Sequence, residues 1–287
     1  TVDADLQQAA ESILAGVGPA SALVAIRPSD GAILTAAVGP GSQGFSTSTL
    51  GQYAPGSTFK VVTSLAMLRG GATADSLVHC TDGAVVDGYR FDNWQGYPRT
   101  ALGDVPLHTA FAYSCNSAFL NARDTVSQAD LVTAAGSLGL TARAQIVLPG
   151  FLGSVPEDAS GTAHAASMIG QGQVLASPLG MATVAASVAA GHTVTPVLVT
   201  EPGQKPGTPA VPLDTDEADA LRSLMRAVVT EGGHAALATV PGDAVGAKTG
   251  TASYGSPVRY HGWMIANQGD LAVAAFTEDG SSGTTNA

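Results

Sequence analysis

Apolar positions near the N-terminus follow helical spacing, and those that come next follow strand spacing. The helical set is Leu6, Ala10, Ile13 and Leu14. Residues 21–38 contain two apolar runs around Ser29-Asp30-Gly31, a pattern that predicts a β-hairpin. The last third repeats the strand pattern in residues 244–254, 259–266 and 270–279. Five strands from opposite ends of one chain predict a single antiparallel sheet.

The middle of the chain has the pattern of helices separated by loops. The predicted helices are residues 57–68, residues 109–126, one that begins at Ser177 and one that begins near Asp214. Gly70-Gly71 closes the first helix, while Pro178 and Gly191 mark the start and end of the third. A Pro-rich segment, residues 201–212, predicts a loop before the last helix.

These elements predict an α+β fold, in which a five-stranded antiparallel sheet flanked by helices carries a mostly helical lobe. We expect one domain over residues 1–287. Its sheet subdomain would comprise residues 1–50 and 215–287, and its helical lobe residues 51–214.

Composition and charge exclude several classes of function. Apolar residues make up 45% of the 287 residues, which is enough for a sizeable core. The charge balance is 12 − 23 = −11 and no basic run occurs, which argues against nucleic acid as a partner. The longest apolar stretch, residues 177–190, is shorter than the roughly 18 residues of a membrane span. The N-terminus has no signal-peptide pattern, so we expect any signal or anchor to lie outside this chain.

The first candidate for chemistry is a serine one helical turn before a lysine. Pro55-Gly56 ends the preceding segment, and Ser57 then lies at a helix start with Lys60 on the same face. A serine hydroxyl needs a base, and a lysine serves as one if burial or positive charge lowers its pKa. The apolar run that follows Lys60 supplies burial. This motif alone is a weak signal, because such a spacing arises readily by chance.

Two further motifs follow in order. Ser114 and Asn116 form a Ser-x-Asn motif between two helical segments, and residues 248–250 form Lys-Thr-Gly on a predicted strand. Strand alternation places Thr249 and Thr251 on one face, with Lys248 and Gly250 on the other. The hydroxyls would line a cleft, and Gly250 would let the strand approach the serine helix closely.

The three motifs, in this order, are the signature of penicillin-binding proteins and related β-lactamases. The chain resembles that superfamily from end to end. The segments 53–71, 112–123, 168–191 and 245–252 are most similar to the transpeptidase domain of a class B penicillin-binding protein. Residues 78–96 and 114–119 resemble the actinobacterial type with an upstream NTF2-like domain. An N-terminal anchor, that upstream domain and a C-terminal helix are then expected outside this chain.

The resemblance implies a role for each motif residue. Ser57 would attack a stem peptide ending in D-alanyl-D-alanine, with Lys60 as the base and Ser114 as the proton relay. Asn116 would bind the donor amide, and the terminal carboxylate would be bound by Lys248, Thr249, Gly250 and Thr251. The backbone N–H groups of Ser57 and Thr251 would form the oxyanion hole. β-Lactams would acylate Ser57 as substrate mimics.

The resemblance also implies partners and a location. Substrates would be peptidoglycan stem peptides, inhibitors would be β-lactams, and cell-wall synthesis proteins are candidate partners at the extracytoplasmic face of the membrane. No cofactor is implied. A D,D-carboxypeptidase, a serine β-lactamase and a β-lactam sensor share the same motifs and stay open. A non-catalytic scaffold is the remaining alternative.

Four other features of the sequence bear on structure or function. Cys80 and Cys115 are the two cysteines of the chain, and either a disulfide or two buried thiols fits their positions. His79, Cys80 and Asp82 lack a second cluster, so no metal site is predicted. The glycines of residues 170–173 fit a loop before the Ser177 helix better than a phosphate-binding turn. His261 is expected in a strand near the rim of the cleft.

Overall fold

The computed structural model describes residues 2–142, 146, 149–199 and 208–280. Most of the predicted Pro-rich loop, including Lys205, and the C-terminal residues 281–287 lie outside this range. The helices of the described residues are α1 (Ala4–Leu14), α2 (Thr47–Leu50), α3 (Lys60–Arg69), α4 (Leu107–Ala112), α5 (Asn116–Asn121), α6 (Gln128–Ser137), α7 (Gly161–Met168), α8 (Pro178–Ala190) and α9 (Thr215–Thr230). The strands are β1 (Ser21–Ile26), β2 (Ile33–Val38), β3 (Leu77–Cys80), β4 (Gly83–Val86), β5 (Tyr89–Asp92), β6 (Gly103–Pro106), β7 (Gly153–Ser154), β8 (Leu175–Ala176), β9 (Gly246–Tyr254), β10 (Arg259–Gln268) and β11 (Leu271–Thr277).

The central sheet has the order β2-β1-β11-β10-β9 and is antiparallel throughout. The two ends of the chain meet where β1 pairs with β11, with Ser21 opposite Thr277. The predicted five-stranded antiparallel sheet and the α+β class are therefore confirmed. Because β9 is an edge strand, one of its sides is left for the helical lobe.

Helices α8 and α9 pack the sheet against the lobe. Helix α8 is buried from Pro178 to Val188 and packs on β1, β10 and β11. Its bounds match the sequence signals, with Ser177 as N-cap and Gly191 in the left-handed region (φ 77°) just past its end. Helix α9 begins with a capping box between Asp214 and Glu217 and packs on β9 and α4.

The N-terminal helix buries a narrower face than the sequence suggested. Ala10 and Leu14 are buried, whereas Leu6 is 39% exposed and Ile13 66% exposed. The helix packs on β2 and β1 at the margin of the sheet, so only one edge of its apolar stripe is covered. Ile13 keeps the helical spacing but lies on the exposed side of the helix.

The lobe contains short β elements that the helical prediction for this region did not include. Strand β3 pairs with β6, and β4 with β5, in two-stranded sheets of four-residue strands. The turn between β4 and β5 is Asp87-Gly88, both with positive φ. In the part of the chain that is described, no helix has the length and apolarity to cross a bilayer.

Candidate active site

Ser57 lies in a tight turn pressed against the sheet edge. Residues Gly56–Phe59 form a 3-10 turn that leads into α3, so the predicted helix begins with a tighter turn. Gly56 has φ 53°, and a Cβ there would lie 2.5 Å from the Thr251 carbonyl oxygen. Only glycine fits this approach. It brings the half-buried Ser57 beside β9.

Lys60 is fully buried one turn further on and binds the Ser-x-Asn loop. Its Nζ donates to the Ser114 carbonyl (2.9 Å), Ser114 Oγ (3.2 Å) and Asn116 Oδ1 (2.7 Å). Burial, and secondarily the positive charge of Lys248, holds the pKa of Lys60 well below its ordinary value. Among the described residues, its hydrogen-bond partners do not include Ser57 Oγ, so proton transfer requires Nζ to exchange one of these contacts.

Ser114 is held in an uncommon backbone conformation between α4 and α5. Its φ is 59°, in the left-handed region, which costs a non-glycine residue about 1 kcal/mol. The next residue, Cys115, donates its N–H to the Ala110 carbonyl and is joined to Cys80 by a disulfide with a Cα–Cα distance of 6.2 Å. These bonds fix the turn that aims Ser114 Oγ at Lys60.

Strand β9 brings the third motif to the same place. Lys248 and Gly250 face inward and are buried, whereas Thr249 is half-buried and Thr251 exposed on the other face. A Cβ on Gly250 would lie 2.7 Å from the Pro55 carbonyl oxygen and 3.0 Å from the Thr58 nitrogen. This is the close approach to the serine turn that the glycine predicted.

Lys248 is a second fully buried amine in the site. Its Nζ donates to the Thr249 carbonyl (3.0 Å) and lies 5.5 Å from the centre of the Phe111 ring. Burial lowers the pKa of Lys248 to about 7. An anionic ligand would restore the ammonium form, because a nearby opposite charge favours it. The site can therefore combine a neutral amine base with a cation for a carboxylate.

The structure adds residues that the sequence did not single out. Asn93, between β5 and the following loop, accepts the N–H groups of Asn116 (2.8 Å) and Ser117 (3.2 Å) on its Oδ1. The pKa of His234 is lowered by burial and by the charge of Lys248. Asn93 lies within the segment 78–96 that resembles the family, but neither residue belongs to one of the three motifs.

The remaining residues named from the sequence have structural roles. Cys80 is in the disulfide, and His79 pairs with Asp104. Among the described residues, no group of three His, Cys, Asp or Glu side chains could hold a metal ion. Residues 170–173 form a loop whose Gly170 carbonyl accepts the Gly56 N–H. His261 lies in β10, buried, and stacks on Tyr254.

The edge strand β9 of the central sheet packs on the serine turn, and two fully buried lysines lie at this junction. The model of the penicillin binding protein transpeptidase domain matches residues 21–285, and the chain belongs to this family, as the transpeptidase domain of a class B penicillin-binding protein. The peptidoglycan D,D-transpeptidase PbpA of Mycobacterium tuberculosis is 31% identical over 253 residues, which cover 80% of this chain and 50% of PbpA. The chain thus spans about half the length of the curated relatives it matches.

Solved structures agree with this assignment. The ceftriaxone acyl-enzyme complex of penicillin-binding protein A from M. tuberculosis matches 98% of this chain and 75% of that chain, with a TM-score of 0.85 and 26% identity. Another match is a chain from a structure of a peptidoglycan synthase complex, whose subject is the structural coordination of polymerization and crosslinking. The match covers 99% of this chain and 59% of that chain. Its TM-score is 0.83 at 25% identity.

Proposed function

We propose that this chain is the catalytic domain of a peptidoglycan D,D-transpeptidase that cross-links stem peptides through an acyl-enzyme on Ser57. The observation that carries the proposal is the convergence of three motifs on one buried amine. Lys60 Nζ contacts both Ser114 and Asn116, and Gly250 packs the Lys-Thr-Gly strand on the serine turn. The relatives' names and acyl-enzyme complexes support the same reaction class.

The first half of the reaction forms the acyl-enzyme. Neutral Lys60 takes the proton of Ser57 Oγ, and Oγ attacks the carbonyl carbon of the penultimate D-alanine. The N–H groups of Ser57 and Thr251 stabilise the oxyanion, a contribution usually worth several kcal/mol. Ser114 Oγ, bonded to Lys60, passes the proton to the leaving nitrogen. The peptide bond breaks and D-alanine departs.

The second half transfers the acyl group to an amine. The acceptor nitrogen attacks the ester carbonyl and loses a proton to the Ser114–Lys60 pair. The ester C–O bond breaks, and Ser57 Oγ recovers its proton. Asn116 would bind the donor amide, while Lys248, Thr249 and Thr251 would bind the terminal carboxylate.

The substrate sets the expected surroundings. Stem peptides lie outside the cytoplasmic membrane, so we propose that the enzyme acts at the extracytoplasmic face of that membrane. An N-terminal anchor and an upstream domain remain predictions. The match to a chain of a synthase complex supports cell-wall synthesis proteins as partners.

Product analysis tests the proposed reaction against its alternatives. A donor peptide ending in D-Ala-D-Ala is incubated with an amine acceptor, and mass spectrometry follows D-alanine release and both products. We expect the amide product to exceed the hydrolysed one. Hydrolysis of the donor without amide product would instead indicate a D,D-carboxypeptidase. Rapid turnover of penicillin would indicate a β-lactamase. A lasting penicilloyl adduct without peptide turnover would indicate a sensor. No adduct and no product would indicate a scaffold.

Lys248→Ala should slow acylation by carboxylate-bearing β-lactams by more than about tenfold, or about 1.4 kcal/mol. The variant loses the ammonium that would pair with the ligand carboxylate. Esterified β-lactams, which lack that charge, should be affected less. Because the pKa of Lys248 is about 7, the ammonium is present below that pH, and wild-type affinity for the carboxylate should weaken as pH rises through 7. The variant should lose this dependence.

Rates of acylation, measured by stopped-flow absorbance across pH, check this prediction. Lys248→Ala removes a positive charge that lowers the pKa of Lys60. The acid limb of its pH–rate profile for acylation should therefore also move to higher pH. Acylation rates of the wild-type chain and the variant are therefore compared on the plateau of each pH–rate profile. Equal losses for the acid and ester ligands would show that Lys248 acts in proton transfer instead of carboxylate binding.

A further inference from the structure

The segment Asp92-Asn93-Trp94, at the end of β5, contacts both sides of Ser114. The Asp92 carbonyl accepts from Asn116 Nδ2 at 2.8 Å, and Trp94 Nε1 donates to the Tyr113 carbonyl at 3.1 Å. Asn93 lies between them. The residues before and after Ser114 are therefore bound by three consecutive residues from another part of the lobe.

Asn93 makes the central contacts. Its Oδ1 accepts the backbone N–H groups of Asn116 and Ser117, and its Nδ2 donates to the Thr81 carbonyl at 2.7 Å. The first amides of a helix have no partner inside the helix. In α5 the N-cap residue is Cys115, whose disulfide sulfur is a weak acceptor and, of the backbone N–H groups at this helix start, accepts that of Ala118. Asn93 supplies the acceptor that this N-cap lacks.

The hydrogen bonds of Asn93 affect the position of the reacting groups through Asn116 and Ser114. Asn116 Oδ1 and Ser114 Oγ both bind Lys60 Nζ, and Ser114 has a left-handed backbone that surrounding bonds must maintain. We propose that Asn93 is a positioning residue for acyl transfer, which sets the Ser-x-Asn loop so that Ser114 and Asn116 meet the Lys60 amine. The inference rests on the acyl transfer proposed above.

Asn93→Ala tests the proposal, with Asn121→Ala as a matched control. Asn121 also uses its amide to tie α5 to a neighbouring strand, donating from Nδ2 to the His79 carbonyl, but at the far end of the helix. Acylation by a fluorescent penicillin is followed over a range of concentrations to separate the dissociation constant of the first complex from the acylation rate constant.

We expect Asn93→Ala to lower the rate constant by at least about tenfold. The dissociation constant should change less than this, because Asn116 takes part in binding the donor amide but the Lys-Thr-Gly strand is untouched. Asn121→Ala should change neither. A wild-type rate constant in Asn93→Ala, with only a lower melting temperature, would overturn the inference and leave a structural role. If wild-type protein took up no β-lactam at all, the proposed function would fall instead.

Two further variants keep the test decisive. Asn93→Asp retains an acceptor for both amides and should recover at least about a third of the wild-type rate constant. A rate as low as that of Asn93→Ala would contradict the role assigned to Oδ1. If the alanine variant does not fold, Asn93→Leu keeps the side-chain volume without the polar contacts, and the same rate criterion applies to it.

Discussion

Penicillin should add one covalent equivalent to the chain, on Ser57, and both Ser57→Ala and Lys60→Ala should abolish the adduct. Ser57 is the hydroxyl at the serine turn, and Lys60 is a buried amine whose pKa burial holds far below its ordinary value. Because the base must be neutral, acylation by the wild-type chain should slow as pH falls through the lowered pKa of Lys60. Intact mass and peptide mapping after mixing with penicillin give the count and the position.

Ser64→Ala is the matched control for this experiment. Ser64 is a buried serine of the same helix whose Oγ has no hydrogen-bond partner among the described residues. Its loss should leave acylation unchanged, and thermal melting should show that all three variants fold. Acylation of Lys60→Ala at a rate near wild type would exclude lysine as the base, and an adduct on Ser57→Ala would exclude Ser57 as the nucleophile.

The sheet and its flanking helices were predictable because their signals are local. The apolar runs in residues 21–38 and 259–277 favour strands. Pro178 and Gly191 mark the ends of α8, and Asp214 and Glu217 mark the start of α9. The hairpin of β4 and β5 also had a local signal in Asp87-Gly88, yet its short strands lie within a region otherwise patterned as helical.

The site was predictable in its residues but not in its contacts. Three ordered motifs indicated Ser57, Lys60, Ser114 and Lys248, and their roles remain predictions. Lys60 donates hydrogen bonds to Ser114 and Asn116 but not to Ser57. This arrangement depends on the path of a loop more than fifty residues away in the sequence. Asn93 is tied to the site only by tertiary hydrogen bonds, which leave no spacing to detect.

The Cys80–Cys115 bond should contribute both to stability and to catalysis. The two cysteines are buried beside Val105, Ala110 and Ala118, and the bond closes a loop with a sequence separation of 35. The chain-entropy model assigns such a loop roughly 3 to 4 kcal/mol of unfolding free energy. A Cys80→Ala/Cys115→Ala variant should therefore melt at a lower temperature than the oxidised chain.

Acylation should slow in the same variant, because Cys115 lies between Ser114 and Asn116 and its bond restrains both. Reduction of the wild-type chain should reproduce the two effects together, which separates loss of the bond from loss of side-chain volume. Thiol titration of oxidatively prepared protein, denatured without reductant, should find no free thiol; two free thiols would contradict the bond. A fall in melting temperature with an unchanged acylation rate would assign the disulfide to stability alone, and the restraint on Ser114 would then rest on Asn93 and its neighbours.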